Sequence, residues 1–422
     1  MSTPLHSAVA NVVASDSCSG CGGCAALDPS LLMRRSLEGF NRPEPTNVST
    51  DPSPSEATRE EFEAMCPGVA VSAQRPPGSR RDKILGPYIG AWQAWASNDD
   101  VRFAGSSGGA LTILAAWLLA RPEFDCVVTA QSDPGNVMET SVRIARDDAT
   151  VKEAAGSRYA PVSIAADPMA HAPGSVVVGK PCEVFSIRMR NAERSERVEP
   201  PFLLSFFCAG VPSQNATDRL VESGFVETDF PLRSLRYRGN GWPGGFEAIS
   251  RRGGRFSMSY DESWGRHLGP TTQWRCKICP DGVGESADVV AGDFWHADSR
   301  GYPAFSEQPG RSVLIARTER GMSAVLAAAE DGVLILEPID LNEVVKVQPL
   351  QNSRRRTLVG RILGLRLAGR SVPKYSGFGL TSLGCSAPVQ TARALLGSLR
   401  RSIVWRHQRR LNGKRDGGVV ER

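Results

Sequence analysis

Cys18-Ser-Gly-Cys21-Gly-Gly-Cys24 is a C-x2-C-x2-C run, and Cys66-Pro67 stands downstream of it. Thiolates at that spacing can share one iron-sulfur cluster, and the glycines let the backbone wrap closely enough for its amides to reach the sulfides. In bacterial ferredoxins the run continues through three residues to Cys-Pro. Here that position is Asp28-Pro29, so the fourth ligand falls to Cys66. A 4Fe–4S cluster on Cys18, Cys21, Cys24 and Cys66 is the expectation, with zinc or an unmetallated loop as the other readings. A second thiol set centres on Trp274-Arg275-Cys276-Lys277-Ile278-Cys279-Pro280-Asp281. Its C-x2-C turn supplies two ligands, and two more must come from elsewhere. Cys182 and Cys208 are the suppliers: each follows a β-rich apolar run, Val176 to Val178 and Leu203 to Phe207. Cys276, Cys279, Cys182 and Cys208 thus form a four-cysteine site drawn from three distant segments.

Other stretches could hold an anion or a flat ring. Phe103-Ala-Gly105-Ser106-Ser107-Gly108-Gly109-Ala110 runs directly into an apolar helix, Leu111 to Ala120. Small residues there bare the helix's N-terminal amides to a pyrophosphate; a tight serine-capped loop is the plainer reading. Gly156-Ser157-Arg158-Tyr159 could grip phosphate or ring, or be a solvated turn. The glycine-rich run Tyr237 to Phe246 could cover a flat ligand or join a hairpin, and Lys180 could offset cluster charge. None of the five histidines has zinc-enzyme spacing, and no Ser/His/Asp arrangement is seen; His267 and His296 flank the second thiol set. The catalytic residue is left unassigned.

These residues need a sizeable scaffold. The chain has 422 residues, 41% hydrophobic and 23% charged, which is ordinary for a soluble globular protein of two or three units. Its longest apolar run, Ala110 to Ala120, is too short to span a bilayer, and the start does not read as a secretory signal, so a cytoplasmic location is expected. Ten cysteines in that compartment favour metal ligation over disulfides. Cys126 reads as core and Cys385 stands alone. The Pro/Asn/Ser/Thr-rich run from Arg42 to Pro54 reads as a loop excursion. Residues 351–422 hold 16 of the 50 Lys and Arg against two acids, Asp416 and Glu421. The cationic helix Ala392 to Leu411 carries Leu, Ile, Val and Trp on one side, which suits an anionic membrane surface or acidic partner, or a solvated helix. Nucleic acid is a poor fit, since no recognisable binding module accompanies the charge.

Strands alternating with helices give an expected α/β (α+β) body with a mixed sheet, preceded by a small ferredoxin-like iron-sulfur domain and followed by a basic helical tail. The expected boundaries are 1–73 for the ferredoxin-like segment, 74–86 for a linker, 87–172 and 173–352 for the two parts of the body, and 353–422 for the tail.

With the motifs placed, residues Pro87 to Asn352 resemble the beta subunit family of coenzyme F420 hydrogenases and dehydrogenases, which includes 7-hydroxymethyl chlorophyll a reductase. The resemblance rests on the shared order of Gly105-Ser-Ser-Gly-Gly109, Gly156-Ser-Arg-Tyr159, Gly179-Lys-Pro-Cys182, Phe207-Cys-Ala-Gly210, Cys276-Lys-Ile-Cys279, Ala287-Asp288 and Gly292-Asp293. It implies FAD held by Ser106, Ser107, Gly108, Gly109, Ser157, Arg158 and Tyr159, and a 4Fe–4S cluster on Cys182, Cys208, Cys276 and Cys279. With the leading segment the chain is similar to the two-cluster reductase branch. The expected function is an iron-sulfur flavoprotein oxidoreductase that takes electrons from a ferredoxin-like donor through two 4Fe–4S clusters to FAD. The final acceptor is then a small organic substrate, sugar-linked or coenzyme F420 itself. The alternatives are a non-catalytic electron-transfer subunit of a larger complex and a structural zinc protein.

Overall fold

A computed structural model of the chain describes residues 3–46, 55–192, 199–296 and 307–416. The body is built on eight strands: β1 (Gly90–Ala96), β2 (Cys126–Ser132), β3 (Thr140–Ala145), β4 (Ser175–Gly179), β5 (Phe202–Phe206), β6 (Val289–Asp293), β7 (Ser312–Ala316) and β8 (Leu334–Pro338). They form one sheet in the order β8-β1-β7-β6-β5-β4-β2-β3. The central run β2-β4-β5-β6 is parallel, and the flanking pairings are antiparallel. The mixed α/β body is as expected.

The parallel strands are apolar without alternation because both sheet faces are covered. On one face Leu114, Ala115, Val325 and Ala328 pack against Val127, Val176, Leu204 and Leu314. On the other, Val184 and Ile187 pack against Val128, Val177 and Leu203, while Ile84, Val344 and Leu383 cover Val290, Val313 and Ile315.

The helices that matter to the site are α1 (Pro4–Ala14), α2 (Gly23–Leu27), α3 (Glu56–Met65), α4 (Ala110–Leu119), α5 (Pro181–Ala192), α6 (Glu319–Glu330), α7 (Pro349–Leu367) and α8 (Pro388–Asp416). The leading segment joins α1, α2 and α3 to a hairpin, Leu31–Arg35 with Asn41–Pro45, around Leu5, Val9, Leu31 and Phe62. Most of the expected loop excursion, residues 47–54, lies outside the described residues.

Two expected boundaries take a different form. Residues 74–86 are not a free tether: Arg80–Asp82 pairs with Gly86–Tyr88, and Arg81 donates to both oxygens of Glu285 at 2.8 and 2.9 Å. The boundary at 352/353, drawn on charge, falls inside α7, whose Arg354, Arg355, Leu358 and Leu365 are buried. The far end also returns to the leading segment, because strand Lys374–Ser376 pairs in parallel with Ala70–Ser72.

Candidate functional site

Cys18 and Cys21 lie on the loop that leads into α2, Cys24 sits in its first turn, and Cys66 caps α3. Gly20 (φ +73°) and Gly22 (φ +95°) take left-handed conformations that glycine allows at no steric cost. A Cβ on Gly22 would stand 2.7 Å from Ala166, so only a glycine lets this loop sit so close to the body. Ala165 N–H donates to the Cys21 carbonyl at 3.1 Å, and the Ser163 hydroxyl donates to that of Gly20 at 2.9 Å. The four cysteines line one cavity with Val9, Val12, Phe62 and Met65. Burial pushes the thiols of Cys18, Cys24 and Cys66 up, and neighbouring cysteines push them further. Clustered thiols that disfavour one another's ionisation are a set in need of positive charge. The hydroxyls of Ser19 and Ser186 line the same cavity, buried and without a protein partner.

The second set gathers around the turn Trp274–Lys277. Cys208 follows β5, and Cys182 sits in the first turn of α5 directly after β4. Burial pushes the Cys208 thiol up to about 12, with Cys276 and Cys279 adding to the rise and Arg354 opposing it. Burial also raises Cys182 well above its ordinary value, against the pull of Lys180; Cys21 and Cys208 both add to the rise. Cys182 is thus within electrostatic reach of both thiol sets. A Cβ on Gly210 would reach 3.1 Å from the Cys276 Cβ, which shows how closely the Cys208 loop passes that turn. From beneath, α7 grips the loop: Gln351 and Arg354 donate to the Cys208 carbonyl at 3.2 and 2.8 Å. The Tyr375 hydroxyl is buried without a partner, within electrostatic reach of Cys276 and Cys279.

Among the described residues, no three His, Cys, Asp or Glu converge tightly enough to hold a single metal ion. Four cysteine thiolates per set are the donor chemistry of an iron-sulfur cluster, as they are of a structural zinc site. The donor sets therefore fit iron-sulfur clusters, and the three unpaired hydroxyls are available to cluster sulfur.

A cleft of about 470 Å³ opens beside the second set, within the usual range for small-molecule sites. Ser106, Ser107, Gly109, Ser157, Arg158 and Tyr159 all line it, and so do Lys180 and Cys208. Its floor is the N-terminus of α4, capped only by Gly109 in the left-handed conformation, with no side chain bonded to its first amides. The Ser106 hydroxyl is buried there without a protein partner. An uncapped helix start beside an orphaned hydroxyl fits a pyrophosphate.

Two residues of that set do something else. Gly108 is not in the wall: its N–H donates to the Ser312 hydroxyl oxygen at 3.0 Å, and a Cβ there would stand 2.5 Å from the Ala94 carbonyl oxygen. Arg158 lines the cleft but spends its guanidinium on Thr140, Leu235, Val137 and Glu139 at 2.7–3.2 Å. It pins the wall rather than reaching into the space.

Two family models match in tandem, in the order of these motifs. Coenzyme F420 hydrogenase/dehydrogenase, beta subunit N-term, matches residues 91–166, and the corresponding C terminus matches residues 175–342. The chain belongs to the coenzyme F420 hydrogenase/dehydrogenase beta subunit family. That places it among the oxidoreductases. A search of curated proteins finds no match. Among solved structures, a chain of the F420-reducing NiFe hydrogenase complex from Methanosarcina barkeri shares the fold at 19% identity and a TM-score of 0.50. The match covers 67% of this chain and 95% of that one.

Cys18, Cys21, Cys24 and Cys66 lie before the beta subunit match, and Gln351, Arg354 and Tyr375 lie after it. Inside it, sequence reasoning named Tyr159 but missed the rest of the aromatic wall of the cleft. The Tyr159 and Trp264 rings lie 4.8 Å apart, and Tyr260 stacks on Trp295 at 5.8 Å. Behind them Arg238 makes a two-pronged pair with Asp293 at 2.7 and 2.8 Å. The glycine-rich run 237–246 therefore serves mainly to place Arg238 and the buried Trp242, which stacks on Trp295 at 4.7 Å. Ala287-Asp288 is a fastening: Asp288 is fully buried and accepts bonds from Arg188, Arg320, Thr318 and the Leu203 amide. Among the described residues no histidine lines the cleft; His267 is exposed, and His296 is engaged by Arg311.

Proposed function

We propose that this chain is an iron-sulfur flavoprotein that conducts electrons inward from the Cys18/Cys21/Cys24/Cys66 set, through the Cys182/Cys208/Cys276/Cys279 set, to FAD in the cleft. The observation that carries the reading is the position of Cys208, which belongs to the second thiol set and also lines the cleft. Clusters accept electrons singly, whereas a flavin can hold two and deliver them as a hydride. The protein's part is placement. The first amides of α4 and the Ser106 hydroxyl would receive the pyrophosphate. Lys180 stands beside Cys182 and Cys208: burial works against its charge, but Glu183 and the two sulfurs hold its ammonium protonated. The Tyr159, Trp264 and Trp295 wall suits a planar heteroaromatic substrate stacked over the flavin. A ferredoxin-like protein is the proposed donor.

A second reading, an electron-transfer subunit without substrate chemistry of its own, takes support from the neighbouring structure, which is a chain of a larger complex. Anaerobic rapid mixing of the reconstituted chain with a reduced donor tests the relay. Flavin bleaching should slow at least tenfold in Cys208→Ser while flavin content holds; unchanged bleaching would rule the relay out. Turnover of a small heteroaromatic acceptor by the isolated chain separates the first reading from the second.

A further inference from the structure

Helix α8 is amphipathic the wrong way round for a helix in water. Its backbone packs closely on α7, whose Gly360 and Gly364 approach so near that a Cβ on each would meet the α8 carbonyl oxygens of Thr391 and Leu395 at 2.2 and 2.3 Å. Ser398 and Ser402 are buried, at 1% and 0% exposure. The opposite side carries Val389, Leu396 and Ile403, seven residues apart and 58%, 65% and 57% exposed, with Val404 beside them. At 100° per residue, Arg393 and Arg400 fall on that same outward side, and both are exposed. On α7, Leu363 and Leu367 are exposed as well.

Aliphatic side chains at regular helical spacing on the solvent side need a covering surface. The arginines among them choose its kind. Two copies of this face would set arginine against arginine, so self-pairing is disfavoured, whereas anionic headgroups above an acyl layer satisfy both components. No helix among the described residues is long and apolar enough to cross a membrane. We propose that the outward face of α8 lies in the plane of an anionic phospholipid surface, with Val389, Leu396 and Ile403 at the acyl boundary and Arg393 and Arg400 among the headgroups. This stands independently of the redox reading.

Vesicle flotation of the full chain tests it, comparing phosphatidylcholine with mixtures containing about one-third phosphatidylglycerol at about 150 mM salt. Binding should favour the anionic vesicles at least tenfold, since Arg393 and Arg400 would both be drawn to the anionic headgroups. Leu396→Ser with Ile403→Ser, and separately Arg393→Glu with Arg400→Glu, should each lower it at least tenfold. All four positions are exposed, so helical content and melting should hold. Equal binding to neutral vesicles, no binding, or undiminished binding of both variants would overturn the proposal. So would self-association that Leu396→Ser abolishes, or equally tight capture by polyglutamate.

Discussion

Arg275, the residue before Cys276, donates two hydrogen bonds to the carbonyl oxygen of Pro67, the residue after Cys66, at 3.2 and 2.7 Å. One buried guanidinium thus ties a ligand-bearing turn of each thiol set to the other. Gln273 repeats the tie, donating to the Ser19 carbonyl at 2.8 Å. The two sets are held in a fixed relation by side chains that are not themselves ligands.

Arg275→Met should cost about 3 kcal/mol, because a charged donor is lost and a buried carbonyl is left unpaired. Arg275→Lys should recover little of this, since lysine lacks the planar fork. Urea denaturation of both variants checks the size. Chelator-driven iron loss should quicken from the leading set in particular.

Ser106 and Ser107 are neighbours with different work. Ser106→Ala should weaken FAD binding roughly fivefold, the equivalent of about 1 kcal/mol, with melting unchanged, because its hydroxyl has no protein partner. Ser107→Ala should instead lower stability, since Ser107 donates to the Arg311 carbonyl at 2.7 Å and accepts from Ser312 at 3.0 Å. Flavin titration beside thermal unfolding separates the two.

Asp288 sets an acid limit on stability. Burial would raise its pKa, but Arg188, Arg320 and the Leu203 amide outweigh burial and hold it below the ordinary 3.8. A carboxyl lowered in the folded state stabilises above its unfolded pKa and loses that contribution as pH falls through the folded value. Unfolding free energy should therefore be insensitive to this group above about pH 5 and decline below about pH 4. Asp288→Asn should cost roughly 2–3 kcal/mol at neutral pH by removing the charge-assisted bonds that the half-buried Arg188 and Arg320 make to it. Urea melts of both proteins from pH 3 to 7 test this.

Tyr375→Phe should lower the midpoint potential associated with the second thiol set. Its unpaired buried hydroxyl beside Cys276 and Cys279 can donate to cluster sulfur and so favour the reduced form. A bond of about 1 kcal/mol corresponds to roughly 40 mV for one electron. Redox titration followed by electron paramagnetic resonance reads the shift, and an unmoved potential would remove Tyr375 from the site.

The core of the site was legible because its signals are local. Cys182 and Cys208 follow largely apolar strands, and Gly105 to Gly109 precedes an apolar helix, so sequence alone places them at strand and helix ends. What the chain's far end contributes has no local signal. Arg354 and Arg355 look like part of a solvated basic run, yet their acceptors are the carbonyls of Cys208 and Pro280 and the carboxylate of Glu285. Arg158 misled in the opposite way: an arginine beside Gly156 and Ser157 invites an anion, but the Val137, Glu139 and Leu235 carbonyls reach it first. Long-range pairing of this kind is settled by topology, which a spacing pattern does not carry.

Anaerobic reconstitution followed by iron, sulfide and flavin assay is the most direct test that two cluster-bearing thiol sets serve one flavin. The expected result is roughly eight irons and one FAD per chain, falling to about four irons in Cys66→Ser and in Cys276→Ser alike. A colourless chain loaded with zinc, or a full complement of iron that retains no flavin, would contradict it.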